Sequence, residues 1–243
     1  MHGQLVKCIR CRNDFEPPID GEVRFADNLF CSMRCSLLDW RDFSGIPNTF
    51  WDTDLKRLSC VSQIAAVQSW IDERGQPGLM LHGATSGTGK TRLGTIAFNR
   101  RCAWYWQGRD EERRNVQSGD ANITGLWFNV NGFRNCYSRV MRDSEAKAHW
   151  QSQLSTNETL FIDDVDKLKP TEGLMELVFA VLDERLTNSR ATILTTNLTG
   201  NTLAQRWGDE VGPYLVRRIR DYSLTVGFDV WRKSLAVKVS DSF

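Results

Sequence analysis

The chain has 243 residues, of which 41% are hydrophobic, 25% charged and 10% aromatic, a composition that can bury a sizeable core and excludes wholesale disorder. Lys+Arg 31 against Asp+Glu 30 leaves a formal net charge of +1, so no global field steers the chain toward nucleic acid. No apolar run approaches the ~20 residues that span a bilayer, and the N-terminal MHGQLVKCIRCRNDF lacks the apolar stretch of a signal peptide, which predicts a cytoplasmic protein with no membrane partner.

A reducing compartment disfavours disulfides, so the seven cysteines need another explanation. Cys8, Cys11, Cys31 and Cys35 read C-x2-C, a gap of 19 residues, then C-x3-C. Each close pair can clamp one edge of a tetrahedral zinc ion through thiolates at about 2.3 Å. The gap, with Ile19, Val23, Phe25, Leu29 and Phe30, is long enough for a hairpin, and Cys35 would open a helix over SLLDWRDF. So short a segment has no core of its own, and zinc would supply its folding energy. The expectation is a four-cysteine zinc module over residues 1–45. Two unrelated cysteine pairs or a redox C-x-x-C compete with it, but both spacings together favour zinc. Lys7, Arg10, Arg12, Arg24, Arg34 and Arg41 face Asp14, Glu16, Asp20, Glu22, Asp27, Asp39 and Asp42. That balance fits protein docking at least as well as DNA binding. Cys60, Cys102 and Cys136 stand singly and are expected as small core hydrophobes.

Ser44-Gly45-Ile46-Pro47-Asn48 is rich in turn formers and marks the boundary of a second domain, 46–243. Apolar residues three and four apart from Leu55 to Ile71 predict a helix, and Leu79-Met80-Leu81-His82 a buried strand. Then come Gly83, Ala84, Thr85, Ser86, Gly87, Thr88, Gly89, Lys90, Thr91 and Arg92, leading into the helical RLGTIAFNRRCAWYW. Strand, glycine-rich loop, Gly-Lys-Thr and helix form a P-loop, in which backbone N–H groups converge on phosphates at a helix N-terminus. Lys90 would neutralise the phosphates and the Thr91 hydroxyl would take a place on Mg²⁺. The expected first glycine position holds Ala84, and Gly83 sits one residue early. Either the loop carries an extra residue or Ala84 replaces that glycine.

A strand over Leu126–Val130 leads into a helix predicted from about Gly132 to Gln153, and the strand Thr159–Ile162 runs straight into Asp163-Asp164. Beside a P-loop, Asp163 can hold Mg²⁺ through water and Asp164 can orient or deprotonate the attacking water. A helix over Glu172–Thr187 and a strand over Ala191–Thr195 follow, ending in Thr196-Asn197, where Asn197 could sense a γ-phosphate or serve as an ordinary turn residue. Arg217, Arg218 and Arg220 lie in YLVRRIRDYS before the strand Leu224–Phe228. An arginine given to a neighbour's γ-phosphate stabilises phosphoryl transfer, although three arginines on a short helix also suit a solvated face. Arg100, Arg101, Arg109, Arg113 and Arg114, with Trp104, Tyr105 and Trp106, are candidate DNA contacts. Here the reading that the aromatics finish the P-loop helix in the core is preferred, since Asp110, Glu111 and Glu112 dilute the charge.

In this order, Gly87-Thr88-Gly89-Lys90-Thr91, Phe161-Ile162-Asp163-Asp164, Thr195-Thr196-Asn197 and Leu215-Val216-Arg217-Arg218-Ile219-Arg220 resemble an AAA+ ATPase. The chain is most similar to replicative-helicase loaders of the DnaC type and to IstB transposition ATPases, over roughly residues 50–230. The resemblance implies an α/β P-loop NTPase fold with a parallel sheet between helices, Walker A residues Lys90 and Thr91, and Walker B residues Asp163 and Asp164. It implies Asn197 as sensor 1 and Arg218 as the arginine finger, with Arg220 in reserve. Asp164 is one methylene shorter than the glutamate common at its position, and the 15 residues after Phe228 are too few for a C-terminal helical lid. The zinc segment does not match the helicase-binding domain of such loaders. Three functions follow as expectations. The first is an ATPase using ATP and Mg²⁺ that forms a homo-oligomer on single-stranded DNA and loads a replicative DNA helicase. The others are a transposition helper that recruits a transposase, and a zinc-dependent adaptor with a nucleotide-gated, slowly hydrolysing P-loop.

Overall fold

Successive side chains of a strand point to opposite faces of a sheet, and the apolar runs of this chain sort themselves that way. The computed structural model describes residues 6–7, 14–15, 45–50, 53, 55, 58, 60–73, 75–108, 125–169 and 171–228. Strands β1 (Val6–Lys7) and β2 (Asp14–Phe15) form a separate antiparallel pair, Val6 opposite Phe15 and Lys7 opposite Asp14. The main sheet is built from β3 (Gly78–His82), β4 (Gly125–Asn129), β5 (Thr159–Asp163), β6 (Ala191–Thr196) and β7 (Ser223–Gly227). All pairings are parallel, in the order β4–β5–β6–β3–β7. The chain leaves the middle of the sheet after β3 and returns at its far edge as β4, and a switch of strand order of this kind opens a crevice at the carboxyl ends of the strands.

Helices cover both faces: α1 (Val61–Glu73) and α2 (Lys90–Gly108) on one, α3 (Val130–Val140), α4 (Ser144–Thr156), α5 (Glu172–Thr187), α6 (Gly200–Trp207) and α7 (Gly212–Tyr222) on the other. Leu79 and Leu81 of β3, Phe161 of β5 and Ile193 of β6 pack with Val67, Trp70, Leu93, Ala97 and Phe98 beneath α1 and α2. Their neighbours Met80, Leu160, Ile162 and Leu194 pack with Phe133, Trp150, Leu154, Leu182, Leu215 and Ile219 on the opposite face. The two faces are separate cores, each closed only when its helices dock.

The single helix expected over 132–153 is two helices. Met141 caps the end of α3, and the Asp143 carboxylate accepts from the backbone N–H groups of Glu145 and Ala146, starting α4 in a new direction. The helix expected from Leu55 begins at Val61, because Leu55 and Leu58 lie in a turn closed by the Leu58 N–H on the Leu55 carbonyl. Helix α6 was not anticipated: Thr-Gly-Asn reads as a loop, yet Leu203 and Trp207, one turn apart, are both buried.

Arg185 is fully buried on α5. Its guanidinium donates to the carbonyls of Leu154 and Asn157 at 2.7 Å and of Ala191 at 2.6 Å, and to Thr192 Oγ1 at 3.0 Å. One cation thereby satisfies the C-terminal carbonyls of α4 and ties them to the start of β6. Cys60 and Cys102 are buried, Cys136 packs against the core, and burial pushes the thiols of Cys60 and Cys136 up. Cys8, Cys11, Cys31 and Cys35 lie outside the described residues, as do Arg109, Arg113, Arg114 and the chain after Phe228 where a lid was expected to be missing. Among the described residues no helix is long and apolar enough to cross a membrane.

Candidate nucleotide site

The loop after β3 closes on itself. The Gly83 N–H donates to the Thr196 carbonyl at 3.2 Å, which fixes the exit of β3 to the end of β6. Gly87 (φ 77°) and Gly89 (φ 100°) take left-handed backbone conformations that side chains resist, so the tight turn needs glycine at both. Lys90 then opens α2, and its ammonium donates to the Gly83 carbonyl at 2.9 Å, the Thr85 carbonyl at 2.8 Å and Thr88 Oγ1 at 3.3 Å. Gly83 follows β3 directly, and Ala84 sits between the two carbonyls that hold Lys90. The loop thus lays its backbone and a buried cation against the N-terminus of a 19-residue helix, the electropositive end. The Arg92 guanidinium lies 5.9 Å over the Phe50 ring.

Three strand ends converge beside the loop. Thr91 Oγ1 donates to Asp163 at 2.9 Å (Oδ1) and 3.2 Å (Oδ2). Thr195, fully buried on β6, donates its hydroxyl to Asp163 Oδ1 at 2.6 Å and accepts from the Asp164 N–H at 2.8 Å. Burial outweighs these bonds and pushes the Asp163 carboxyl above its usual range, with the adjacent Asp164 adding to the rise and the bond from Thr195 opposing it. Asp164 adopts φ 59° and ψ 47°, a conformation that strains a residue with a Cβ and commonly marks functional positions. The strain turns its carboxylate out of the strand line, where Oδ2 meets Lys167 at 2.5 Å and Oδ1 accepts from Asn197 Nδ2 at 3.3 Å. The bond to Asp164 pushes the Lys167 ammonium up.

The structure therefore brings together Lys90, Thr91, Asp163, Asp164 and Asn197. It places Arg218 on α7, donating from Nε to Asp183 at 2.7 Å and from Nη1 to the Tyr222 hydroxyl at 3.2 Å, with the Tyr214 ring at 5.7 Å. Arg217 and Arg220 on the same helix are mostly exposed, with longer pairs to Asp221 at 3.6 and 3.5 Å. Arg101 is buried over Trp70, which keeps its charge from a DNA strand, while the exposed Arg100 donates to Gln68.

Sequence reasoning passed over three residues. Thr195 was visible only as a strand residue, although a hydroxyl beside buried carboxylates was a usable signal. Asp166 accepts the Asn197 N–H at 2.9 Å and thereby seats that asparagine. Lys167 completes the run Asp163-Asp164-Val165-Asp166-Lys167, whose density of charge after an apolar strand was legible but unread.

No protein-family model matches the chain, and no curated relative matches it. Among solved structures, the chain is similar to the DnaC helicase loader at 17% identity and a TM-score of 0.55, covering 75% of this chain and 100% of that one. It is similar to the replication initiator DnaA bound to AMPPCP and single-stranded DNA (16%, TM-score 0.52, 73% and 51%). It is also similar to AMPPCP-bound DnaA from Aquifex aeolicus (16%, TM-score 0.51, 73% and 51%). The α/β fold, a five-stranded parallel sheet between helices, is the one these solved structures share. The chain spans about half the length of these two DnaA proteins. In this sheet, β3, β5 and β6 stand side by side, and the loop, both carboxylates and Asn197 all sit at their carboxyl ends.

Proposed function

We propose that the chain binds and hydrolyses ATP and uses the cycle to load a replicative DNA helicase onto single-stranded DNA, as residues 46–243 acting with a zinc module at 1–45. The observation that carries the ATPase reading is the bond between Thr91 and Asp163 at the foot of the loop that holds Lys90, with Asp164 and Asn197 paired beside them. The likeness to the whole of the solved helicase-loader chain motivates the loading role.

In this reading the loop from Gly83 to Arg92 cradles the phosphates, and Lys90 leaves the Gly83 and Thr85 carbonyls to neutralise them. Thr91 and Asp163 supply an oxygen pair that fits Mg²⁺, which when bound neutralises charge on the β- and γ-phosphates. Asp164 orients the attacking water and draws its proton, and Asn197 holds that carboxylate in place. Arg218, already braced by Asp183 and Tyr222, reaches a neighbouring subunit's nucleotide as the oligomer forms. The pairing of β1 with β2 suits a zinc knuckle, because residues 8–13 between them contain Cys8 and Cys11.

Light scattering of the purified chain with ATP and single-stranded DNA tests the assembly: a rise in mass is expected, and no change refutes it. Co-purification then separates partners, since recovery of a helicase supports loading and recovery of a transposase supports the transposition-helper reading. The pairing of Lys167 with Asp164 favours one further alternative, a slow nucleotide-gated switch. Partner loading unaltered by Asp164→Asn would support it.

A further inference from the structure

Beside the paired Asp164 and Lys167 lies an open cleft of about 700 Å³, lined by Asp166, Lys167, Leu198, Thr202, Gln205 and Arg206. Its walls are the 3₁₀ turn Val165–Lys167, the exit of β6 and one side of α6. They are locked together: the buried Trp207 donates its indole N–H to the Val165 carbonyl at 3.4 Å, and Arg206 Nε donates to the Asp166 carbonyl at 3.3 Å. The cleft is thus preformed, with a volume in the range of small-ligand sites.

Its chemistry is that of an anion site. The one acid on its wall, Asp166, accepts from Asn197, at 2.9 Å from the backbone N–H and 3.5 Å from Nδ2, and keeps its charge, but the two cations Lys167 and Arg206 outnumber it. The donors on the wall are the Lys167 ammonium, whose side chain is 59% exposed, the terminal nitrogens of Arg206 and the Gln205 amide, while the Thr202 hydroxyl donates to the Thr199 carbonyl at 3.0 Å. Leu198 is the single apolar residue, so the aromatic and aliphatic anchors on which protein partners spend their binding energy are missing from this wall. A phosphate presents several acceptor oxygens to such a set of donors, and Arg and Lys are its usual ligands.

We propose that this cleft binds a phosphodiester of single-stranded nucleic acid, and that the bound phosphate draws Lys167 away from Asp164. This rests on reading Asp164 as the acid that orients water. With Lys167 in place, one oxygen of Asp164 is occupied by the ammonium and the other accepts from Asn197. Moving Lys167 onto a phosphate opens the first oxygen to the attacking water, so occupancy of the cleft and competence of the carboxylate are coupled. Coupling of binding equilibria is reciprocal: whatever removes Lys167's attraction to Asp164 must also favour the nucleic acid.

The test is fluorescence anisotropy of a labelled 12-nucleotide oligo-dT on the full chain without nucleotide, over a series of salt concentrations. Asp164→Asn is expected to bind about two- to fivefold more tightly than the natural chain, the range that a partly exposed ion pair is worth. Lys167→Ala and Arg206→Ala are expected to bind more weakly, each lowering the slope of log affinity against log salt by about 0.7. Lys167→Arg keeps the charge and is expected to retain the slope. In a parallel ATPase assay, oligo-dT should raise the rate of the natural chain, and Lys167→Ala should have a raised basal rate that oligo-dT no longer alters. Unchanged affinity in Asp164→Asn, or an unchanged slope in Lys167→Ala, overturns the proposal. So does competition by polyglutamate as strong as by unlabelled oligo-dT, which would mark an acidic protein partner. A natural chain that binds oligo-dT as described but hydrolyses no ATP would refute the ATPase reading and leave the cleft standing.

Discussion

Replacing Thr195 with valine removes one hydroxyl and almost no volume from a fully buried position on β6. That hydroxyl donates to Asp163 Oδ1 at 2.6 Å and accepts from the Asp164 N–H at 2.8 Å. The bond to the carboxylate is charge-assisted and worth about 1.5–3 kcal/mol, and the stranded N–H costs a further ~1–3 kcal/mol. The new methyl recovers roughly 0.8 kcal/mol of apolar burial. The net loss is about 2–5 kcal/mol, which in a chain of this size lowers the melting temperature by roughly 4–20 °C. Calorimetry of Thr195→Val against Thr195→Ser makes the comparison, since serine keeps the hydroxyl and loses only a methyl. Losing the N–H bond also releases the strained turn at Asp164, so ATP hydrolysis should fall in valine far more than in serine. A valine variant that melts within 1 °C of the natural chain, with an unaltered ATPase rate, would refute the idea that Thr195 holds the two carboxylates together.

Three other perturbations have signed outcomes. Burial raises the Asp163 carboxyl above its ordinary value, so between the ordinary and raised values the folded chain holds a proton that the unfolded chain releases. Stability attributable to this group therefore falls as pH rises through that window, and Asp163→Asn should melt higher than the natural chain near pH 7, an advantage that fades below about pH 4. Thermal melts at both pH values check this. Arg185→Met should cost at least about 3 kcal/mol, because the buried carbonyls of Leu154, Asn157 and Ala191 lose their donor; chemical denaturation measures it. The intact chain purified without chelator should carry about one zinc per chain by elemental analysis, the stoichiometry of a four-cysteine site, and Cys8→Ser should lose it.

Much of this fold was legible because its signals are local. Leu79–His82 and Thr159–Asp163 are short apolar runs bounded by glycine or acid, and both are strands of the main sheet. Gly87, Gly89 and Lys90 could be read because left-handed glycines and a helix-opening lysine have a spacing of their own. The break between α3 and α4 hid because both halves share a helical period, and only the capping carboxylate of Asp143 separates them. The roles of Thr195 and Asp166 escaped notice because their partners, Asp163 and Asn197, lie 32 and 31 residues away in sequence. A buried threonine looks like any strand residue until the carboxylate beside it is seen. Arg185 is similar: nothing in GLMELVFAVLDERLT distinguishes it from a solvated helix arginine, and only the packing of α4 against α5 buries it.

ATP hydrolysis at the loop that follows β3 underlies the loading role proposed for the chain. Steady-state phosphate release by the natural chain and by Lys90→Ala, with oligo-dT present, tests that most directly. Turnover is expected in the natural chain and a loss of roughly 100-fold or more in the variant, as when a preorganised charge on the transferred group is removed. Equal rates in the two proteins would contradict it.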